Sequence, residues 1–173
     1  EDLDFTVFYP LSHFGTAKAA NERVDLAGDP TDNTVNQRIY PVYLNIRNPI
    51  EMVDTGVGHM SNDFRTELVK QEIISSEAAD KFTREYVQDL IKKGTASDDP
   101  SDNSDRAIIA LIKKLGYDGF KYTNNVEDKG SVSWVTLYPN QIKSATGNTG
   151  KYSSKNPDIR FSKAQPQVEE VMD

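Results

Sequence analysis

The segment His13-Phe14-Gly15-Thr16 contains the residue types best suited to holding a ligand. Thr16 is placed to cap a helix that begins directly after it, and a glycine beside a helix N-terminus lets the backbone approach an anionic group. An imidazole at this place could stack on a bound ring or form a hydrogen bond with it. Taken alone, the segment favours a half-buried structural histidine over a ligand-binding one.

The rest of the chain offers little other catalytic chemistry. It contains no Cys, and its two histidines are His13 and His59. Disulfide bonds, thiolate zinc sites and cysteine nucleophiles are therefore excluded, so catalysis would depend on carboxylates, hydroxyls and aromatic rings. His59 lies in a glycine-rich stretch with no adjoining carboxylate, and we predict a loop residue there. The acidic loop at residues 95–102 lacks the spacing and the glycine of a calcium loop, so we predict a solvated loop that caps the next helix and no metal site.

Length and charge exclude several classes of protein. The chain has 173 residues, with 20 Lys and Arg against 27 Asp and Glu, and a formal net charge of −7. The length suits one domain. The acidic balance argues against a nucleic-acid binder that tracks phosphates. No apolar run approaches the ~20 residues that a membrane-spanning helix needs. No glycine-rich motif for dinucleotide or triphosphate binding is present.

The order of the predicted elements indicates the fold class. Apolar periodicity predicts strands near residues 5–7, 12–15, 39–46, 117–122 and 131–138, a helix over 17–24, and three further helical stretches between about 62 and 116. Strands, then helices, then strands indicate an α+β fold with a largely antiparallel or mixed sheet. Tyr40 and Tyr43 are interpreted as structural, one on each face of their strand. The polar, acidic residues 163–173 are typical of a disordered tail or linker.

Five segments carry a resemblance to a known family. They are, in chain order, HFGTAKAANER, YPVYLNIRNPI, GYDGFKYTN, EDKGSVSWVTLYPNQIKSATGN and NPDIRFS. This set resembles the ADP-ribosyltransferase modules of phage and mobile-element polyvalent proteins, which belong to the superfamily of the diphtheria toxin and poly(ADP-ribose) polymerase catalytic domains. The resemblance runs from about Phe5 to Ser162 and implies one domain over residues 1–162. It also implies a split, curved antiparallel β-sandwich with flanking helices, which holds NAD+ between its sheets and needs no metal.

The segment HFGTAKAANER can be matched to the superfamily's site in two ways. In the register we favour, it is the second site motif, in which His13 is the ring that stacks on nicotinamide and Phe14 is its aromatic neighbour. The first motif, a His-Gly-Thr or His-Gly-Ser strand, would then lie upstream of Glu1. In the other register this segment is itself the first motif, and Gly15 and Thr16 contact the nicotinamide amide.

The third site motif departs from the family pattern. The resemblance places Ser133 where the family has its catalytic Glu, with Trp134 in the aromatic position that follows. The nearest carboxylates are Glu127 and Asp128. Glu127 can replace the missing carboxylate, or it is an ordinary solvated turn residue. Arg23 is suited to the NAD+ pyrophosphate, and its alternative interpretation is an exposed helix arginine.

The resemblance supports two functions of different classes. The first is an NAD+-dependent mono-ADP-ribosyltransferase, a toxin-like effector that passes ADP-ribose to a macromolecular acceptor such as a host protein. The second is a non-catalytic module that serves as a structural or interaction unit of a phage-derived multidomain protein. This second function is favoured by Ser133 in the place of the catalytic Glu and by the expectation that the first motif lies upstream of Glu1. Either way we expect neighbouring domains in a larger protein, no membrane partner, and a place in the bacterial cytoplasm or in the virion.

Overall fold

The computed structural model describes residues 7–27, 39–54, 61–147, 149 and 153–161. In chain order the elements are β1 (His13–Phe14), α1 (Ala17–Ala27), β2 (Val42–Leu44), β3 (Pro49–Val53), α2 (Ser61–Lys70), α3 (Ser76–Lys92), α4 (Pro100–Lys114), β4 (Gly119–Thr123), β5 (Val132–Thr136), a 3-10 turn (Pro139–Gln141) and β6 (Ile142–Ser144). Strands and helices are segregated along the chain in the predicted order. The prediction of an α+β fold is confirmed.

The strands form two sheets. One sheet has the order β1-β5-β4-β3, and the other consists of β2 and β6. The pairs β1–β5, β4–β5 and β2–β6 are antiparallel, and β3–β4 is parallel. Parallel neighbours need a long crossover connection, which here consists of α2, α3 and α4. The fold is consistent with the ADP-ribosyltransferase type, with one parallel pair within the larger sheet.

The hydrophobic core lies between one face of the larger sheet and the helices. Ile50, Phe120 and Val135 lie side by side on three neighbouring strands and are buried. The rings of Phe64 in α2 and Phe120 in β4 stack with their centroids 4.4 Å apart. Because side chains alternate along a strand, the neighbours of these residues point to the opposite face of the sheet. On β1 and β5 that face carries the side chains of Phe14 and Trp134.

Helix caps agree with the sequence patterns. The Thr16 hydroxyl accepts a hydrogen bond of 3.0 Å from the Ala19 N–H and so caps α1. Asp99 caps α4 by accepting from the Ser101 N–H at 2.8 Å. The capping function predicted for the end of the acidic loop is thereby confirmed.

Two short strands differ from the sequence expectation. The strand predicted near residues 39–46 is shorter in the structure, and an unpredicted strand, β3, begins at Pro49 on the edge of the larger sheet, where a proline need not donate to a ladder. Strand β6 lacks the alternation of a half-buried strand because all three of its residues are buried. Its Lys143 ammonium donates to the carbonyl oxygens of Asn156 and Asp158, which makes burial of a lysine possible.

Some expectations fall outside the described residues. They concern the strand start at residues 5 and 6, His59 and the tail at 163–173. Among the described helices, none combines the length and the apolar character that crossing a membrane requires.

Candidate functional site

A cavity of about 770 Å³ lies between the two sheets. Residues from β1, α1 and β5 form one side of it, and the segment around β2 forms the other. Its lining includes all six residues assigned to ligand binding by the sequence, namely His13, Phe14, Gly15, Thr16, Arg23 and Trp134. These residues span more than 100 positions of the chain, and the fold brings them to one place.

A second cavity gives a useful contrast. It measures about 660 Å³ and is lined mainly by residues of α3 and α4 together with Leu137 and Tyr138. None of the predicted site residues lines it. The cavity between the sheets is therefore the candidate site.

One wall of the candidate cavity is aromatic. The Phe14 ring meets the Phe8 ring edge to face at 5.1 Å, and Phe8 meets Tyr40 at 6.1 Å. Phe14 is the register partner of Trp134, so both side chains lie on the same face of the sheet. Tyr40 and Tyr43, predicted to be structural, also line the cavity. The wall suits a planar ring or another flat, apolar group.

His13 points to the other face of β1 from Phe14. Its Nδ1 lies 3.0 Å from the Tyr122 hydroxyl, and the two rings meet at 5.9 Å with an angle of 63°. Tyr122 is the register partner of Ser133. Burial raises the pKa of Tyr122, and the hydrogen bond with the Ser133 hydroxyl opposes that rise. His13, Tyr122 and Ser133 thus form a hydrogen-bonded chain across β1, β4 and β5.

Gly15 packs directly against Ser133. A Cβ atom at position 15 would lie 2.8 Å from the Ser133 Oγ and 3.1 Å from the Ala19 Cβ. Such distances are closer than van der Waals contact allows, so a side chain larger than hydrogen does not fit without movement. Ser133 itself is buried, with 5% of its surface exposed. It lies beneath the β1–α1 connection and does not line the cavity.

The turn between β4 and β5 is attached to α1 through Asp128. The Thr16 hydroxyl donates to the Asp128 Oδ2 at 2.5 Å, and the Lys18 ammonium lies 3.0 Å from the Oδ1. The Asp128 N–H donates to the Glu22 carboxylate. Hydrogen bonds from Thr16 and Lys18 lower the pKa of the Asp128 carboxyl below its ordinary value. Asp128 has a positive φ of 40°, a conformation that Asp adopts more readily than most residues.

Glu127 and Arg23 form a second link between this turn and α1. The Arg23 Nη1 donates to the Glu127 Oε1 at 3.2 Å. The Glu127 side chain is 18% exposed and that of Arg23 57%. Glu127 is therefore neither a freely solvated turn residue nor a cavity-lining one, and it reaches the cavity edge through Arg23.

The sequence missed Tyr122 and Asp128 as members of the site. Tyr122 could have been found by pairing the segments GFKYT and VSWVT as an antiparallel hairpin, since that register sets it opposite Ser133. No local signal marks the contact of Asp128 with Thr16, which lies 112 positions away. The described residues contain no group of three or more His, Cys, Asp or Glu arranged to hold a metal ion.

Comparisons with known proteins identify the family. Neither the curated proteins nor the solved structures contain a match to this chain. The family described as ADP-ribosyltransferase in polyvalent proteins matches residues 13–152, which is most of the chain and includes every predicted site residue. The protein is a member of this family of ADP-ribosyltransferases in polyvalent proteins.

Proposed function

We propose that the protein is an NAD+-dependent mono-ADP-ribosyltransferase. In this reaction the bond between C1′ of the ribose and the nicotinamide nitrogen breaks, and nicotinamide leaves with the bonding electron pair. A nucleophilic atom of the acceptor forms the new bond to C1′ and loses its proton. The ribose carries positive charge in the transition state, so the enzyme must provide a nearby anion.

The convergence of six predicted ligand-binding residues on one cavity of a family member carries this proposal. The volume of about 770 Å³ lies within the range usual for small-molecule sites. The aromatic wall provides the apolar part of the site. The helix N-terminus beside Gly15 and Thr16 provides a part that suits an anion. NAD+ needs both, because it joins planar rings to a pyrophosphate.

Arg23 is the proposed partner of the pyrophosphate. It lines the cavity, and its side chain is more than half exposed. The guanidinium is therefore not held in an apolar environment and can reach a ligand in the cavity. A guanidinium presents several N–H donors in one plane and matches the geometry of phosphate oxygens.

Glu127 is the proposed anion beside the ribose. In the free protein Glu127 is paired with Arg23. A pyrophosphate bound to Arg23 would replace this carboxylate as its partner, and Glu127 would become available to the ribose. The Ser133 side chain ends in a neutral hydroxyl, which cannot supply an anion, and this makes the Glu127 carboxylate the better candidate.

The acceptor and the setting are part of the same proposal. We propose that ADP-ribose passes to a macromolecule, a protein of the bacterial host, and that the protein acts in the cytoplasm of that host after delivery with phage or mobile-element DNA. Other domains of a polyvalent protein would accompany residues 1–162.

A non-catalytic role is the second candidate. Two points favour it: the resemblance puts Ser133 at the position of the family's catalytic Glu, and the carboxylate of Glu127 already has a partner. Under this alternative the module keeps the fold and interacts with other domains or proteins without turning NAD+ over.

One experiment separates the candidates. The protein, extended upstream of Glu1 to include the expected first strand, is incubated with labelled NAD+ and a bacterial lysate. Two results together support the enzyme: release of nicotinamide, and a label that stays attached to a macromolecule after the macromolecule has been denatured. Binding of NAD+ without either product favours the non-catalytic module, and the absence of both binding and products rules the enzyme out.

A further inference from the structure

We propose that the second cavity, which lies between α3, α4 and the residues that follow β5, binds a mononucleotide. Its volume of about 660 Å³ lies within the range usual for small-molecule sites. Among the residues that the structure describes, none lines both this cavity and the one between the sheets. The proposal therefore concerns a separate site and does not depend on the proposed function.

One wall of this cavity is cationic. Arg106, Lys113 and Lys114 of α4 all line it. They are spaced at i, i+7 and i+8, which places them on one face of the helix. The two lysines lie in the last turn, where a cation also complements the helix dipole. Arg106 lies near the middle of α4, where the dipole gives no reason for a cation.

The charges of this wall are not balanced by the protein. Within the described part of the chain, none of the three side chains forms an ion pair with a carboxylate. Other cations of this acidic chain do so, and the Lys121 ammonium, for example, lies 2.6 Å from the Glu51 carboxylate. Three positive charges around one cavity repel one another, and a bound anion relieves that repulsion. A phosphate monoester, which carries close to two negative charges at neutral pH, suits them better than a single carboxylate.

Arg106 keeps donors available for such a group. Its Nη1 donates to the Thr95 carbonyl oxygen at 2.7 Å. A guanidinium has five N–H donors, so one hydrogen bond to a carbonyl leaves several for phosphate oxygens. The hydrogen bond also holds the side chain in place beside the cavity.

The rest of the lining suits a planar ring. Tyr86 and Tyr138 line the cavity together with the buried apolar side chains of Ile109 and Leu137. The Lys113 ammonium lies 5.5 Å from the centroid of the Tyr138 ring, so a ligand in contact with this ring also meets the charge. Aromatic side chains stack on any nucleobase, and tyrosine hydroxyls can pair with its polar edge. A planar base joined to a phosphate matches both parts of the lining.

A small molecule fits the site better than an acidic segment of a protein. A stable protein interface buries about 800 Å² on each partner. An acidic segment of that size would extend beyond the cavity onto a chain whose net charge is −7. Like charges there would oppose its binding, whereas a mononucleotide places its phosphate among the cations alone.

Calorimetric titration with uridine 5′-monophosphate tests the proposal, since its base differs from both rings of NAD+. We expect one saturable site with a dissociation constant below about 1 mM, and an affinity that falls as salt is added. Uridine and inorganic phosphate, titrated separately, should each bind at least roughly tenfold more weakly. Absence of saturable binding would overturn the proposal. So would inorganic phosphate that binds as tightly as the nucleotide, because the site would then recognise no ring.

Replacement of Lys113 tests the cationic wall. Lys113→Gln should weaken binding of uridine 5′-monophosphate roughly five- to tenfold, because a charged hydrogen bond is lost. The matched control is Lys92→Gln, which removes an exposed lysine from the last turn of α3 and should leave the affinity unchanged. Lys113 is exposed as well, so both variants are expected to fold. Equal affinity in Lys113→Gln and the native protein would overturn the proposal.

Backbone-amide NMR during the same titration locates the nucleotide. The shifts should concentrate on α3, α4 and residues 137–138. Binding that Arg23→Gln abolishes would place the nucleotide between the sheets and overturn the proposal. Binding of polyglutamate that needs Lys113, without binding of the nucleotide, would identify an acidic protein segment as the occupant and overturn it too. No reading uses NAD+ turnover, so this proposal and the proposed function can fail independently.

Discussion

Arg23 and Glu127 form an ion pair of 3.2 Å at the edge of the cavity. The two residues were assigned on separate grounds, Arg23 to the pyrophosphate and Glu127 to the ribose. They lie on α1 and on the β4–β5 turn, more than 100 positions apart. Their contact means that the charge of each is balanced by the other in the free protein. Under the proposed function, a ligand that brings its own phosphates would change that balance and make the carboxylate available.

Replacement of Glu127 tests the proposed source of the anion. Glu127→Gln keeps the size of the side chain and removes its charge, so NAD+ cleavage should fall by roughly 10²-fold. The measurement is nicotinamide release under saturating NAD+. Glu85→Gln, which breaks the exposed pair of Glu85 with Lys81 on α3, is the control and should have no effect. Cleavage that survives Glu127→Gln would show that another group stabilises the ribose.

Replacement of Arg23 tests the pyrophosphate contact. Arg23→Gln should weaken NAD+ binding roughly tenfold, because a charged hydrogen bond is lost. The free energy of unfolding should change by less than about 1 kcal/mol, since the Arg23 side chain is largely solvated. Calorimetric titration with NAD+ and urea denaturation measure the two quantities. Arg84→Gln, at an exposed position of α3, is the matched control. Equal affinity for NAD+ in Arg23→Gln and the native protein would show that Arg23 does not contribute to NAD+ binding.

Gly15 and Ser133 should behave as a coupled pair in stability measurements. Gly15→Ala places a methyl group 2.8 Å from the Ser133 Oγ, and we expect it to lower the free energy of unfolding by about 1–3 kcal/mol. Ser133→Ala removes that oxygen, so the double variant should lose less stability than the sum of the single variants. Recovery should be partial because the contact with the Ala19 Cβ at 3.1 Å remains. Strictly additive losses in urea denaturation would contradict the packing seen here.

Asp128 should make stability depend on pH. Its hydrogen bonds with Thr16 and Lys18 lower its pKa in the folded state. The stabilisation is therefore complete above the ordinary aspartate pKa of 3.8 and is lost as the pH falls through the lowered value. Asp128→Asn tolerates the same positive φ but cannot ionise. Its stability deficit should be largest near pH 7 and should shrink below pH 4.

The control for this experiment is Asp98→Asn, at an exposed position of the loop before α4. Its effect should be small at every pH. A deficit of Asp128→Asn that stays constant from pH 7 to pH 3 would mean that the carboxylate charge does not attach the turn to α1.

Local sequence patterns were sufficient to predict the helices and the longer strands. Thr16 and Asp99 each cap the helix that begins directly after them. Such caps can be predicted from a short segment, because they join groups only two or three residues apart. The segments around Phe120 and Val135 are rich in the β-branched and aromatic residues that are typical of strands. The short strand β6 was missed because its residues are all buried, and a pattern of alternation cannot arise there.

The sequence by itself determined the fold class, the family and the set of candidate residues, since each depends on residue types and short spacings. Only the tertiary structure decided how those residues meet. The cavity between the sheets, the contact of Arg23 with Glu127, and the chain from Ser133 through Tyr122 to His13 all join segments that are far apart in sequence. Such contacts depend on strand register and helix placement, which the core packing of the whole chain sets and no single segment encodes.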